Sequence, residues 1–152
     1  TIVSKLFNII NPDKAYFGQK DAQQVLVVQK MVRELNFTVE IRTIPIVREK
    51  DGLAVSSRNK YLSPQERTSA TVLYKALQLA KRLIEQGERK VEKIKSEMTT
   101  LIKKEEVANI DYVEVVDQNT LEGMTKIEGL ILIVLAVYIG DTRLIDNLMM
   151  EV

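Results

Sequence analysis

A strand, a helix and a second strand follow one another near the start of the chain, and this order constrains the fold more than any other feature. Residues 14–17 form a short apolar stretch, residues 21–35 carry apolar side chains at helical spacing, and residues 38–44 alternate between apolar and polar. A helix that joins two strands at this spacing predicts a parallel crossover unit. Ligands of such sheets bind beyond the carboxyl ends of the strands. Gly18 and Val47 lie just after these ends and mark a candidate binding site.

A second region, which begins near residue 57, predicts a small α+β domain. Ser63 suits a helix N-cap, Pro64 suits the first helical position, and Glu66 completes a capping box. We expect this helix to reach Gln86 and to end at Gly87. A further helix and three strands are expected, in order, over residues 91–104, 109–116, 130–138 and 142–145. Three strands with two helices predict an antiparallel sheet.

Together these patterns predict an α/β chain of two parts. Residues 1–54 contain the parallel sheet, and residues 55–152 contain the α+β domain with its antiparallel three-stranded sheet. A hydrophobic content of 45% and a charged content of 28% are typical of a globular protein. The net charge of +1 provides no general attraction for nucleic acid or an anionic membrane, so neither is expected as a partner. The chain has no cysteine, which excludes disulfides and agrees with the cytoplasmic location that we predict.

Two adjacent hydroxyls and a guanidinium follow a glycine turn in residues 51–59. Arg58 offers a planar fork of donors that matches phosphate. Ser56 and Ser57 add further donors, and Gly52 lets a ligand approach the backbone because it has no Cβ. The segment therefore indicates an anion with several oxygens, such as the phosphates of a nucleotide. The alternative is an ordinary Asp-Gly turn followed by a polar loop.

A second polar cluster ends the first strand and opens the first long helix. Gly18 lies at the turn, and Lys20 lies where a helix N-terminus already favours negative charge. Asp21 is a candidate N-cap that is also able to accept hydrogen bonds from a ribose, and Gln24 lies one turn further on. The alternative is that Asp21 only caps the helix while the other side chains are solvated. The two clusters together indicate two sides of one nucleotide site.

The order of several long motifs resembles the pantothenate synthetase family. These motifs are residues 5–13, 15–21, 45–49, 51–59, 61–63 and 140–147, and they extend from one end of the chain to the other. The resemblance implies an enzyme that joins pantoate to β-alanine through a pantoyl-adenylate, with ATP and Mg²⁺. It also implies part of a Rossmann-like nucleotide-binding domain, then a C-terminal domain that closes over ATP as a lid. Members of the family are typically homodimers that associate through the larger domain.

The resemblance also implies roles for individual residues. Gln24 matches the glutamine that binds pantoate, Val47 matches a position whose backbone contacts adenine, Lys20 would neutralise phosphate charge and Asp21 would hold the ribose. Gln19 and Val55 depart from the family, which commonly has glutamate and methionine at these positions. The positions that match the family's ATP contacts are Gly18, Gln19, Lys20, Asp21, Val47, Val55, Ser56, Ser57 and Arg58.

The family's signature histidine motif is absent, because the chain contains no histidine. The chain also opens inside an apparent helix over residues 1–10, without an initiator methionine, and resembles only the C-terminal portion of such an enzyme. We therefore expect an N-terminal region to be missing, apolar surface to lie bare beside residues 15–17, and the chain alone to carry no catalytic residue and to be inactive. The Mg²⁺ ligands stay unassigned, because ATP phosphates and waters supply most of them. Two alternatives are a related adenylate-forming ligase for another carboxylate and a non-catalytic module that acts through subunit contacts.

Overall fold

The computed structural model describes residues 2–152 and divides into two compact units, Thr1–Ile46 and Val47–Val152. The sequence placed the boundary between residues 54 and 55. In the structure, Leu53 is 3% exposed and belongs to the core of the second unit. The segment between the two boundaries therefore packs with the C-terminal unit, because Leu53 and Ala54 are buried there.

The first unit is the predicted parallel crossover. Its two strands pair in parallel, with Lys14 opposite Glu40 and Gly18 opposite Ile44, which confirms the prediction. Its elements are α1 (Ile2–Ile10), β1 (Lys14–Gly18), a 3₁₀ turn (Gln19–Asp21), α2 (Ala22–Glu34) and β2 (Glu40–Ile44). Both strands therefore direct their carboxyl ends toward the same edge of this small sheet.

The small core of this unit forms around Phe7, Val28 and Val39. The rings of Phe7 and Phe37 meet edge to face, with centroids 5.7 Å apart.

The predicted apolar stripe on α2 is confirmed at its first positions but is wrong at Leu35. This residue is 59% exposed because the helix ends at Glu34. Expected apolar surface beside residues 15–17 is confirmed at Tyr16, which is 64% exposed.

The second unit is the predicted α+β domain. Its elements are a 3₁₀ turn (Ser57–Tyr61), α3 (Pro64–Ser69), α4 (Val72–Glu85), α5 (Val91–Ile102), β3 (Ala108–Asp117), β4 (Leu130–Ile139) and β5 (Thr142–Glu151). The three strands form one antiparallel sheet in the order β3-β4-β5, as predicted. Strand β5 extends past the predicted end at residue 145, because its ladder to β4 continues through the polar residues Asp146 and Asn147.

The capping box at Ser63 is confirmed, but the single helix predicted to follow it is wrong. Ser63 Oγ accepts from the Glu66 amide at 3.3 Å, and the Glu66 carboxylate accepts from the Ser63 amide at 2.8 Å. The helix then breaks between α3 and α4, where Thr71 Oγ1 donates to Thr68 O at 2.8 Å. A threonine that bonds back to the preceding turn bends or interrupts a helix in this way.

The core of this unit lies between the two long helices and the sheet. Along β4, the alternate residues Ile131, Ile133 and Leu135 are fully buried and pack in the same cluster as Leu73 of α4 and Ile94 of α5. Burying one such side chain stabilises a fold by about 1.5–3 kcal/mol. The sheet is therefore packed against both helices through the buried face of β4.

Glu88 organises the turn between α4 and α5. Its carboxylate accepts from the amides of Arg89 at 3.0 Å and Lys90 at 2.9 Å, and it pairs with Lys93 Nζ at 2.8 Å. The hydrogen bond from Lys93 is the largest cause that lowers the pKa of Glu88 to about 2. Because the pKa is depressed on folding, this stabilisation is present above pH 4.5 and is lost as the pH falls toward 2.

We expect Glu88→Gln to be less stable than the parent protein near pH 6, and we expect this difference to shrink as the pH falls through about 2, because protonation then removes the interaction from the parent. Urea unfolding at a series of pH values measures this difference. Glu92→Gln is the matched control, since it removes a charge from α5 without disturbing the turn. A constant difference between parent and Glu88→Gln across this pH range would contradict the prediction.

Candidate functional site

The turn after β1 leaves open space at its glycine. Gly18 has an extended backbone, with φ −73° and ψ 130°, so a residue with a side chain is able to adopt its conformation. A Cβ added to Gly18 would meet no atom within 4 Å. The glycine is therefore required neither by backbone strain nor by packing within the described residues 2–152, and the open space before it is available to a ligand.

Polar side chains surround the N-terminus of α2, as predicted. Asp21 occupies the N-cap position, is exposed and makes no side-chain cap hydrogen bond. Gln24 is exposed one turn further on, whereas Gln19 and Lys20 are half-buried and interact with other parts of the structure. The dipole of the helix N-terminus favours an anion here. The Asp21 carboxylate, not used as a cap, is available to accept hydrogen bonds from a sugar hydroxyl.

A short antiparallel hairpin at the start of the second unit brings two other candidates together. The Val55 amide donates to Val47 O at 2.9 Å, and the Glu49 amide donates to Leu53 O at 2.8 Å. Gly52 forms the tip with a positive φ of 93°. Val47 and Val55 are therefore neighbours at the base of the hairpin, with side chains that are 66% and 50% exposed.

The predicted phosphate residues follow this hairpin directly, on the 3₁₀ turn. Ser56 Oγ accepts from the Arg58 amide at 3.2 Å, and this leaves the hydroxyl hydrogen of Ser56 available for donation. Asn59 Nδ2 donates to Ala54 O at 3.1 Å and ties the turn back to the hairpin. Ser57 and Arg58 are exposed, and the Arg58 guanidinium makes no hydrogen bond or ion pair with the residues that the structure describes. Its fork of donors is thus available to an anion.

The structure contains an ion pair between the hairpin and β5 that no sequence pattern predicts. Arg48 on the hairpin donates to both carboxylate oxygens of Asp146 on β5, at 2.6 and 2.9 Å, and to Gly52 O at 3.0 Å. The guanidinium also lies 4.6 Å from the ring centroid of Tyr74. The Arg48 side chain is 21% exposed and that of Asp146 is 1% exposed. Both residues lie within the motifs that resemble the family, but nothing in a single sequence shows that they meet.

The tip of the hairpin is held to α3 by a second arginine. Arg67 donates to both carboxylate oxygens of Asp51, at 2.8 and 3.1 Å, and lies 3.5 Å from Glu49. Its hydrogen bond to Asp51 lowers the pKa of that carboxyl and raises the pKa of Arg67. Arg48 and Lys50 complete the lining of an open cleft beside this pair. Because its charges are already matched, this cleft is a weaker anion site than the turn at Ser56 and Arg58.

The candidate residues thus form two sets, one in each unit: residues 18–24 around the N-terminus of α2, and residues 47–58 on the hairpin and the turn after it. No group of three or more carboxylates suited to a metal ion occurs among residues 2–152. No helix in the same range is long and apolar enough to cross a membrane.

A comparison of the sequence with models of protein families tests the resemblance that the motifs indicate. The model of the family described as pantoate-beta-alanine ligase matches residues 1–149. The chain belongs to the pantoate-beta-alanine ligase family. The resemblance noted in the sequence is therefore confirmed, and it covers both the crossover unit and the α+β unit.

Individual members of the pantoate-beta-alanine ligase family are closely similar in sequence. The chain is 62% identical to the pantothenate synthetase of Caldicellulosiruptor saccharolyticus over 152 residues, which are all of this chain and 54% of that protein. It is 59% identical to the enzyme of Acetivibrio thermocellus over the same shares of the two chains. The chain spans about half the length of the curated relatives it matches, as expected for a C-terminal portion.

Solved structures show the same relationship in the fold. Pantothenate synthetase from Thermus thermophilus matches with a TM-score of 0.92 and 41% identity, over 97% of this chain and 53% of that one. Pantoate-beta-alanine ligase from Francisella tularensis, solved with beta-gamma ATP and beta-alanine, matches with a TM-score of 0.64 and 28% identity, over 97% and 47% of the two chains. The α/β fold that the sequence predicts is therefore confirmed.

Proposed function

We propose that this chain is the C-terminal, ATP-binding portion of an enzyme that condenses pantoate with β-alanine to form pantothenate. The observation that carries the proposal is the match of the family over residues 1–149. The open glycine turn at α2 supports it, and so does the exposed Arg58 guanidinium, which has no ion pair among residues 2–152, because both suit a ligand rich in phosphate oxygens.

In the first unit, ATP is proposed to contact residues 18–21. Lys20 neutralises phosphate charge near the N-terminus of α2, Asp21 accepts from the ribose hydroxyls, and Gly18 and Gln19 offer backbone at close range. The Asp21 carboxylate is exposed and makes no helix-cap hydrogen bond, which supports this assignment. Gln24, exposed one turn along the same helix, is proposed to bind pantoate.

In the second unit, the base of the hairpin and the turn after it are proposed to bind ATP. The backbone of Val47 contacts adenine, and Val55, which lies opposite Val47 on the second strand of the hairpin, leads into the phosphate loop. Ser56, Ser57 and Arg58 donate hydrogen bonds to phosphate oxygens. The hydroxyl hydrogen that Ser56 retains and the exposed Arg58 fork support these roles.

The proposed chemistry needs positioning and charge stabilisation more than proton transfer by these residues. A pantoate carboxylate oxygen attacks the α-phosphorus of ATP, pyrophosphate leaves, and a pantoyl-adenylate forms. The amine of β-alanine then attacks the acyl carbon, and AMP leaves. Lys20 and Arg58 stabilise the charge that develops on the phosphate oxygens. No residue of this chain is proposed as a general acid or base, and we expect the chain alone not to turn over.

Mg²⁺, the oligomer and the location complete the proposal. Mg²⁺ is proposed to bind with ATP, through phosphate oxygens and waters. The family's homodimer is proposed to form through the first unit, where Val27 is 60% exposed and Ile44 is 43% exposed. The proposed location is the cytoplasm, where the expected small-molecule substrates are available.

A hybrid enzyme tests the proposed function directly. In it, this chain replaces the matching 54% of the Caldicellulosiruptor saccharolyticus pantothenate synthetase. We expect the hybrid to form pantothenate and AMP only when ATP, pantoate and β-alanine are all present. Formation of AMP with another carboxylate in place of pantoate would identify a related ligase. A folded hybrid that neither binds nor consumes ATP would leave a non-catalytic module as the explanation.

Gly18→Ala separates ligand binding from folding. Because the backbone of Gly18 is extended and its surroundings are open, alanine should leave stability unchanged or raise it by about 0.5 kcal/mol. We expect the KM for ATP in the hybrid enzyme to rise roughly 10-fold, since the methyl group occupies space proposed for phosphate. Steady-state kinetics and urea unfolding check both expectations. Gly123→Ala, another open glycine, is the control, and equal KM values for the two variants would remove Gly18 from the site.

A further inference from the structure

We propose that the ion pair between Arg48 and Asp146 is a positioning device that holds the hairpin and thereby aims Ser56, Ser57 and Arg58 at ATP. The inference rests on the proposed function and extends it to residues that do not touch the ligand. Neither Arg48 nor Asp146 is among the residues proposed to contact ATP. Their role would be to fix where the ATP contacts lie.

The hairpin connects the ion pair to the phosphate loop over a very short path. Arg48 pairs with Ala54 across the hairpin, and the Val55 amide donates to Val47 O at 2.9 Å. Ser56 follows Val55 and caps the turn that carries Arg58. A shift of Arg48 therefore shifts both strands of the hairpin, and the turn has to follow.

The partner of Arg48 is a fixed point of the unit. Asp146 lies within β5, paired opposite Leu135 of the central strand β4. Its side chain is 1% exposed, and its Oδ1 also accepts from the Asn147 amide at 2.8 Å. The bidentate geometry with Arg48 fixes the distance and the plane of the guanidinium together. The hairpin is thus held to a buried position on the sheet.

Tyr74 closes the arrangement from the side of α4. The Arg48 guanidinium stacks over its ring at 4.6 Å, and the tip residue Gly52 packs so closely against the same ring that no Cβ would fit. Arg48 also donates to Gly52 O at 3.0 Å. One guanidinium therefore links the tip of the hairpin, a helix and the sheet.

The stability of the fold does not require an ion pair at the positions of Arg48 and Asp146. Replacing a buried pair by apolar side chains of similar volume is often neutral or stabilising, whereas removing one partner is strongly destabilising. Apolar side chains have no directional contacts, however, and would fill the space without fixing the hairpin. The double variant R48M/D146L therefore separates positioning from folding.

The test uses the hybrid enzyme with R48M/D146L, and with Arg48→Lys, which keeps the charge but loses the bidentate fork. For R48M/D146L we expect the KM for ATP to rise about 100-fold, as for a displaced binding group, and the KM for β-alanine to stay within about twofold. Arg48→Lys should give a smaller change in the same direction. Amide hydrogen exchange should become faster in residues 47–58 and stay unchanged in β4.

The matched control is R143M/D111L. Arg143 and Asp111 also form an Arg–Asp pair on this sheet, at 2.8 Å, with the guanidinium 5.9 Å from the Tyr112 ring. We expect its KM for ATP to equal that of the parent. Unchanged exchange in residues 47–58, or an unchanged KM for ATP in both Arg48 variants, would overturn the positioning role alone. A parent hybrid that shows no ATP-dependent reaction would overturn the proposed function itself, and the inference with it.

Discussion

Alanine at Lys20 or at Arg58 is expected to lower kcat/KM for ATP in the hybrid enzyme by about 100- to 1,000-fold. Each substitution removes a positive charge from a place where negative charge develops on phosphate oxygens. Lys20 lies beside the N-terminus of α2, and the Arg58 guanidinium has no hydrogen bond or ion pair within residues 2–152. The rate of AMP release at limiting ATP measures the effect.

Two control substitutions remove the same charge at positions outside the proposed site, and neither is expected to lower kcat/KM. Lys30→Ala removes a lysine from α2 that is 66% exposed and paired with Glu34, and Arg82→Ala removes an exposed arginine from α4. We expect both controls to keep the parent kcat/KM within about twofold, since exposed charges far along a helix contribute little. If Arg58→Ala were no slower than Arg82→Ala, the turn at residues 56–58 would not be a phosphate site.

Gly52→Ala is expected to destabilise the protein by about 3 kcal/mol. Two costs add at this position. Its φ of 93° is unfavourable for any residue with a Cβ. A Cβ would also overlap the Tyr74 ring atoms Cδ1, Cε1 and Cγ, which cannot move aside without disturbing the stack with Arg48. Urea unfolding, with the midpoint and its slope fitted together, gives the change in the free energy of unfolding.

Gly123→Ala provides the comparison for this prediction. Gly123 does not have a positive φ, and a Cβ there would meet no atom within 4 Å. We expect its free energy of unfolding to change by less than about 0.5 kcal/mol. Equal stability of Gly52→Ala and Gly123→Ala would show that the hairpin tip is free to rearrange, and this would also weaken the case for a fixed hairpin.

Local patterns were sufficient to predict most of the helices and strands. The alternation of residues 38–44 and the helical spacing of residues 21–35 predicted the parallel crossover, because burial on one face imposes these periods. Ser63, Pro64 and Glu66 predicted a helix start, because capping depends on hydrogen bonds within a few residues. The roles proposed for the site residues came from the resemblance to the family.

Local patterns gave the wrong ends for three elements. Strand β5 continues past residue 145 because β4 supplies a hydrogen-bonding partner along its whole length, although Asp146 and Asn147 break the apolar pattern. Leu35 continued the helical pattern, yet it is exposed because α2 ends before it. A single helix from Ser63 was expected, but the Thr71 hydroxyl competes for a backbone carbonyl.

The sequence by itself determined the class of the fold, the turn at Gly18 and the polar loop at residues 56–58, because each depends on neighbours a few residues apart. Only the tertiary structure decided that Arg48 meets Asp146, which lies 98 positions further along the chain. Periodicity and capping carry no information about such a pair. It forms because folding of the sheet places a buried carboxylate where one guanidinium on the hairpin is able to reach it, and a buried carboxylate is stable only when a partner neutralises its charge.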